Sequence, residues 1–398
     1  MVTELVTIAE ALEAIIARTR PLDTEQVRLG EARGRVLARG AGAAIDLPPF
    51  ASSAMDGYAI RAADAPGRLP VVASATAGRP ANRPLAPGEA VAIATGGVVP
   101  EGADAVVPIE LVVKHDNTIE INSDVAVGAN VRPRGGDVRA GSEVVPAGVR
   151  LGAAHLGALA AAGVTTLECR RRPHVRVLAT GTELRRPGEP LGPGEIYDSN
   201  GTMLEAALAV AGANVEVLPA AADDQKAHEE AIRAGLEADL LVTSGGVSVG
   251  AHDLVRRVER ELGVEEVFWG VAMRPGKPLF FGVRGTTLVF GLPGNPVSSL
   301  VAAMLFVRPA LLALQGASDP GPPWAAGTMA TSVRRAAARD ELLRARGVVT
   351  GSGVVLTPVE GQESHMIARA ATADALVHVP RGEGEVPAGA TVRYLRLD

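Results

Sequence analysis

Residues 240–253 read LLVTSGGVSVGAHD. An apolar run ends there in a loop of three glycines and two serines, and an aspartate follows. Such a loop has almost no side chain to pack, so its backbone is what it presents. Glycines let N–H groups close on an anion, and a following helix adds the positive end of its dipole. Asp253 stands near the start of that helix, where an N-cap role worth about 1 kcal/mol explains it as well as chemistry does. The loop lacks both the Lys-Ser/Thr of a P-loop and the GxGxxG spacing, so neither nucleotide fingerprint applies.

Outward from this loop, the chain from His174 alternates strand and helix. VRVLAT, NVEVLPA, DLLVTS and TTLVFGL read as strands; SNGTMLEAALAVAG, KAHEEAIRAGLE, DLVRRVERELG and PVSSLVAAMLFV read as helices. This rhythm predicts a mostly parallel sheet covered on both faces. Ligands of such sheets bind beyond the carboxyl ends of the strands. Three Gly-rich loops fall there: ATGTE (179–183), TSGGVSVG (243–250) and GLPGNP (291–296).

The flanking texture differs. Leu5–Ala17 and Leu29–Ala38 read as helices, residues 50 to about 143 as a loop-rich β domain, and 149–163 as a helix again. Beyond GASDPGPPW (316–324), the runs VVLTPVE, ALVHVP and TVRYLRLD predict a small carboxyl-terminal β domain. The expected division is 1–49 with 139–173, then 50–138, 174–315 and 316–398. The 398 residues suit two to four domains at about 100–200 residues each. Hydrophobic residues make up 47% but aromatics only 3%, so the cores are expected to be built from Ala, Val, Leu and Ile. A net charge of −6 argues against a nucleic-acid partner, while a local site for a small anion stays compatible with it. The lone Cys169 excludes an intrachain disulfide and a multi-thiolate metal site. No uninterrupted apolar run reaches the roughly 18 residues that span a bilayer, and the amino terminus is acidic and amphipathic rather than a signal peptide. A cytoplasmic protein with no membrane partner is expected.

Several other stretches carry chemistry. In GLPGNPVSSL, Pro293 and Pro296 bracket Gly294 and Asn295 between strand and helix, and Pro296 suits the first helical turn. The loop reads as a rigid turn or as a stiff wall for a polar ligand. In MRPGKPLFFG, Arg274 and Lys277 are solvated charges or a fork and a compact charge for an oxyanion. In VRPRGGDV, an extended backbone would point Arg132 and Arg134 to one side, ahead of Asp137. Asp56 in AMDGYAI makes a turn or orients a metal or water. Glu183, Asp223, Asp224 and Asp253 fall at strand ends on one rim, a set that suits Mg²⁺ beside phosphate oxygen. HExxH does not occur, which argues against zinc, and no Ser-His-Asp triad can be assembled from the sequence.

PPFASSAMDGYAI, ATGGVVPEGADAVVP, VRPRGGDV, GEIYDSNGTML, TSGGVSVGAHD, MRPGKP and GLPGNPVSS stand in this order along nearly the whole chain. Together they resemble the MoeA-type molybdopterin molybdenumtransferase family, similar also to the gephyrin E domain. The resemblance implies a multidomain α/β plus β protein. Its centre is a molybdopterin-binding α/β domain, flanked by a mixed amino-terminal domain, a small β domain and a carboxyl-terminal β domain. It implies insertion of molybdate into adenylylated molybdopterin with release of AMP, with Mg²⁺, in a homodimer. A transient contact with the molybdopterin adenylyltransferase is a further expectation. By motif, Asp56, Thr95, Arg132 and Asp137 fall on the β-rich side of the cleft, with Arg134 added by inference. Glu183, Asp223, Asp253, Arg274, Lys277, Pro293 and Pro296 fall on the α/β side. So does the glycine loop with Ser244, Gly245, Gly246, Ser248 and Gly250, together with Gly294 and Asn295. Asp223 and Asp253 are the expected metal ligands, and Ser364 in GQESHM matches a site-adjacent serine. Many members carry lysine after the FW pair, where this chain has Gly270. An adenylyltransferase of the same α/β fold, an interaction scaffold and a carrier of finished cofactor remain alternatives.

Overall fold

The strand Leu240–Ser244 is buried along its whole length and runs through the middle of a six-stranded sheet. The order is Asn214–Val217, His174–Ala179, Leu240–Ser244, Thr287–Leu292, Phe280–Arg284 and Glu265–Trp269. The first four strands are mutually parallel, and Phe280–Arg284 is antiparallel to both its neighbours. Our computed structural model describes residues 5–219, 225–245 and 254–397.

Strand alternation sorts the side chains onto two faces. Val175, Val177, Leu240, Val242 and Phe290 pack with Leu204 and Leu208 of the helix Ser199–Val210 and with Val297 and Val301. Leu178, Leu241 and Val289 pack instead with Ile232, Leu236, Val255 and Val258. Helices therefore cover both faces, as the rhythm predicts. Phe281 sits between Phe268 and Phe290, with ring centroids 5.6 and 4.9 Å away.

The strand Glu265–Trp269 is an addition to the sequence reading, and Phe280–Arg284 begins within MRPGKPLFFG and runs just beyond it. The helix expected over Leu29–Ala38 is corrected: only a single 3-10 turn forms, at Leu29–Glu31. Gly34, at φ 74°, takes the chain out of helical space. No run free of polar residues as long as a bilayer span occurs in the longest apolar helix, which Ser298, Ser299 and Arg308 interrupt. Among the described residues one helix, Pro296–Leu314, is long and apolar enough to cross a membrane, but 83% of that window is buried inside the protein. It is a core helix. A π turn at Ala303–Val307 precedes Arg308-Pro309, because Pro309 has no N–H for the regular ladder.

The chain divides into two compact units. The sheet just described belongs to the unit Met1–Glu25, Gly34–Ala38 and Cys169–Asp398. The same unit holds a closed barrel. Asp340–Thr350 pairs with both Gly353–Pro358 and Ala375–Val379, and Ala325–Met329 and Thr391–Arg396 close the ring. The two-residue strand Met273–Arg274 adds in parallel to Asp340 and Glu341. The other unit, Gln26–Arg33 with Arg39–Glu168, is built on a six-stranded sheet. Its order is Ala105–Pro108, Gly57–Ile60, Ala90–Ile93, Gly67–Ala75, Thr118–Ile121 and Val113–Lys114. Gly57 is required there, since a Cβ would lie 2.0 Å from the Val107 carbonyl oxygen.

At the amino ends of the central strands, Arg171 grips Asp239 through two bonds of 2.7 and 2.6 Å, and the His174 N–H adds a third at 2.8 Å. Burial raises the proton affinity of Asp239, but the Arg171 bonds and the His174 N–H outweigh it and hold the carboxyl below its ordinary value. A lowered folded-state value stabilises above the unfolded pKa, and the gain is lost as pH falls through the folded one. Asp239→Asn is therefore expected to cost about 1.5–3 kcal/mol at pH 7. The gap to the native chain should close below about pH 4, as read by urea melts at both pH values; a gap independent of pH refutes the ion pair's role.

Candidate active site

In the central sheet the chain leaves His174–Ala179 towards Asn214–Val217 on one side, then returns to Leu240–Ser244 on the other. This reversal opens a crevice at the carboxyl ends of the strands. Three loops are laced together there. The Thr180 N–H donates to the Ser244 carbonyl at 3.0 Å, and the Gly245 N–H to the Leu292 carbonyl at 3.1 Å. Asn200 donates from Nδ2 to both Ser244 Oγ and the Gly294 carbonyl, each at 2.8 Å. The carbonyl can only accept, which fixes the orientation of the amide. Its Oδ1 is buried with no partner among the described residues. Ser244 Oγ lies 3.5 Å from Ser299 Oγ, which donates to the Pro293 carbonyl. Gly245 has φ 96°, and a Cβ there would meet the Thr180 carbonyl at 2.7 Å. Backbone alone fits at this point of the rim.

The resulting cleft, about 480 Å³, is lined by Thr180, Glu183, Asn200, Gly245, Gly294 and Asn295 among others. Glu183 is exposed and folds back over Gly181, where a Cβ would lie 2.5 Å from its Oε2. A second cleft of about 490 Å³ shares Pro278, Pro293 and Asn295 with the first. Its walls include Arg274, Lys277, Arg339, Gln362, Ser364 and His365. Arg274 is drawn to Glu341 at 3.3 Å but stays 60% exposed. Lys277 is exposed.

Asn295 is the residue before the helix that opens on Pro296, yet its side chain does not cap that helix. Its Nδ2 donates to Ser364 Oγ at 2.8 Å, and the Val297 N–H donates to the Ser364 carbonyl at 3.1 Å. Ser364 Oγ accepts from Asn295, so its own proton is available to a ligand. Behind this loop lies Arg344, with no exposed surface. Its Nη2 donates to the Gly361 carbonyl at 2.8 Å, while Nε and Nη1 have no partner. Burial lowers its pKa, opposed by the Glu363 charge; a guanidinium keeps its proton all the same.

The second unit brings the other predicted residues together on its own surface. The Ser53 N–H bonds the Gly97 carbonyl at 3.0 Å and the Ala54 N–H the Asn130 carbonyl at 2.8 Å. Val131 and Arg132 pair with Ser53 and Ser52. Asp56 Oδ1 accepts from the Thr95 N–H at 2.7 Å and its hydroxyl at 3.0 Å. These bonds, the backbone one foremost, hold the Asp56 carboxyl below its ordinary pKa. Arg132 and Asp137 are exposed. The twin arginine clamp is corrected: Arg134 pairs with Asp46 at 2.6 Å. The strand ends at Arg132, and Pro133 with Gly135, at φ 65°, turns the chain so that strand alternation no longer applies. Asp46 accepts also from the Ala140 N–H, which with Arg134 lowers its pKa.

Asp223, Asp224, Gly246, Ser248, Gly250 and Asp253 lie outside the described residues. Among the described residues no three His, Cys, Asp or Glu are gathered as a metal-ligand set. Sequence reading missed Asn200, Arg339, Arg344 and Gln362. Asn200 stands in the DSNGTM stretch, one residue inside its helix, where a buried amide is unusual. Arg344 could have been found from alternation, two residues after the buried Leu342.

Chemically, the two clefts offer a glycine rim free of side chains, a polarised hydroxyl and several cations. That suits a ligand carrying more than one anionic group.

Comparison with known proteins bears on which ligand. Residues 6–163 match the MoeA N-terminal region (domain I and II), 176–313 the probable molybdopterin binding domain, and 326–397 the MoeA C-terminal region (domain IV). A curated relative named molybdopterin molybdenumtransferase 2, from Mycobacterium tuberculosis, is 38% identical over 387 residues, covering 93% of this chain and 94% of its own. Molybdopterin molybdenumtransferase of Haemophilus influenzae is 35% identical over 378 residues, covering 94% and 93%. A crystal structure of the molybdopterin biosynthesis MoeA protein from Pyrococcus horikoshii superposes with a TM-score of 0.81 at 32% identity, over 99% of this chain and all of that one.

Proposed function

The chain belongs to the MoeA-type molybdopterin molybdenumtransferases, and from that membership we propose that it inserts molybdate into adenylylated molybdopterin and releases AMP. It is an enzyme of molybdenum cofactor biosynthesis, acting at a late step. The observation that carries the substrate reading is the joined pair of clefts. One is rimmed by the glycines 245 and 294 and the amide of Asn200; the other is walled by Arg274, Lys277 and the Ser364 hydroxyl.

The proposed division of labour follows from size and charge. The pyrophosphate of the adenylylated pterin lies along the glycine rim, where no side chain at Gly245 or Gly294 obstructs its approach to the backbone. Molybdate, a compact dianion, takes the second cleft. Lys277 supplies a point charge, Arg274 a planar fork and Ser364 a directed O–H. Seated there, a molybdate oxygen attacks the adenylyl phosphorus and the phosphoanhydride breaks, leaving the pterin its phosphate. The bond between molybdenum and that oxygen then breaks, so that AMP leaves carrying the oxygen as the dithiolene sulfurs of the pterin close on molybdenum. The molybdenum ligands come from the substrate, so a chain with one buried cysteine meets no conflict.

Mg²⁺ belongs to the proposal. Glu183 offers an exposed carboxylate at the rim, the hard oxygen donor such an ion prefers, and Asp223 and Asp253 would complete its protein ligands. When bound, the ion neutralises pyrophosphate charge. We propose further that two copies assemble as a homodimer. The Asp56, Thr95, Arg132 and Asp137 surface of one copy would then complete the cleft of its twin. Cytoplasmic action and a transient handover from the adenylyltransferase complete the reading.

The test is AMP release from adenylylated molybdopterin with Mg²⁺ and molybdate, with tungstate in parallel. ATP consumption without molybdate would favour the adenylyltransferase alternative, and tight binding of finished cofactor without turnover the carrier. Lys277→Ala and Arg132→Ala are each expected to be nearly inactive. Co-assembled, they should regain roughly a quarter of native activity, because random pairing of two copies leaves some intact clefts. No recovery on mixing would refute the shared cleft.

A further inference from the structure

Gln362 lines the oxyanion cleft, yet its amide is fully engaged with backbone. The strand Gly353–Pro358 stops at Pro358, opposite Ala345. The next rung of the ladder, Arg344, keeps one backbone bond, from the Val359 N–H to its carbonyl at 2.9 Å. Its N–H donates instead to Gln362 Oε1 at 3.0 Å. Gln362 Nε2 donates in turn to the carbonyls of Arg344 and Val359, both at 2.8 Å. One side-chain amide thus stands in for the peptide group that the ended strand no longer supplies.

The residues on either side of Gln362 are held as well. Arg344 Nη2 bonds the Gly361 carbonyl at 2.8 Å and reaches the Glu363 carbonyl at 3.5 Å. Ser364, two residues beyond Gln362, is then met from the α/β layer by Asn295 and Val297. The loop has no helix or strand of its own from Val359 to Met366 apart from a turn, so these bonds set where Ser364 stands.

We propose that Gln362 is a positioning residue for the oxyanion subsite, fixing the loop so that the Ser364 hydroxyl donates to bound molybdate. The inference rests on the molybdenumtransferase reading of the cleft. A side chain holding a donor in register acts on the ligand that the donor meets, not on the pterin at the glycine rim. Loss of the amide frees the loop by a fraction of an ångström to an ångström, a displacement that costs up to about a hundredfold where a reacting group is being placed.

Gln362→Met keeps the length and apolar contacts of the side chain while removing all three bonds. The experiment is steady-state kinetics of AMP release with each substrate varied in turn. Molybdate KM should rise by about tenfold to a hundredfold, with the KM for adenylylated pterin within about twofold. Adding Ser364→Ala to Gln362→Met should be no worse than Ser364→Ala alone, because both act through one hydroxyl. An unchanged molybdate KM, a parallel rise in both KM values, or effects of the two substitutions that multiply would overturn the role. So would a fall in melting temperature of more than about 5 °C, which would mark a merely structural amide. Absence of AMP release by the native enzyme would instead overturn the reading of the cleft itself.

Discussion

Lys277→Ala is expected to lower kcat/KM for molybdate-dependent AMP release by about 100- to 1000-fold, or roughly 2.7–4 kcal/mol of transition-state stabilisation. The magnitude is that of removing one preorganised donor from a site where negative charge must be held. Lys277 suits the part because its side chain is exposed and its fold-bearing contacts are made by backbone. The Val271 and Leu279 N–H groups both donate to its carbonyl at 2.9 Å, and alanine keeps that carbonyl in place. Stability should therefore move by no more than about 0.5 kcal/mol. Arg274 is partly neutralised by Glu341, so Arg274→Ala should cost less. Lys277→Arg should restore only part of the loss, since a planar fork does not replace a compact charge. Initial rates together with a thermal melt decide the matter. A loss under about fivefold, or a collapsed melt, would remove Lys277 from the oxyanion wall.

Arg344→Met should separate stability from activity. The guanidinium is wholly buried, and two of its three nitrogens find no acceptor. Removing a buried charge in favour of an apolar side chain of similar length is often neutral, or stabilising by about 1–4 kcal/mol. Here one bond to the Gly361 carbonyl is also lost, which trims the gain. The melting temperature should thus hold or rise, while activity falls by about tenfold or more as the loop bearing Ser364 loosens and a fixed positive charge leaves its base. Differential scanning calorimetry beside AMP-release rates reads both signs. A variant that melts well below the native enzyme would mean that Arg344 serves the fold.

The α/β layer was plain in the sequence because its signals are local. Strand and helix alternate over short runs, and Gly-rich loops mark the carboxyl ends of strands. What escaped the sequence depends on partners far along the chain. Glu265–Trp269 becomes a strand only because Phe280–Arg284 lies beside it. Arg134 looked like a second clamp residue, but its partner Asp46 is 88 residues away. Asn200, Gln362 and Arg344 are invisible to motif reading for a related reason. Each is a polar group made useful by burial, and burial is a property of the packed chain. Asp56 with Thr95 falls between these cases: both residues stand in recognisable motifs, while their bond across 39 residues does not.

Met273 and Arg274 lie in register with Asp340 and Glu341, so the barrel borrows a short strand from a loop that belongs to the sheet's chain segment. Any chimera that transplants a foreign barrel onto this scaffold must therefore carry residues 273–278 along with it. A graft cut at the apparent seam near residue 316 would bring in a barrel with no matching loop to accept, and would split the anion wall between two parents.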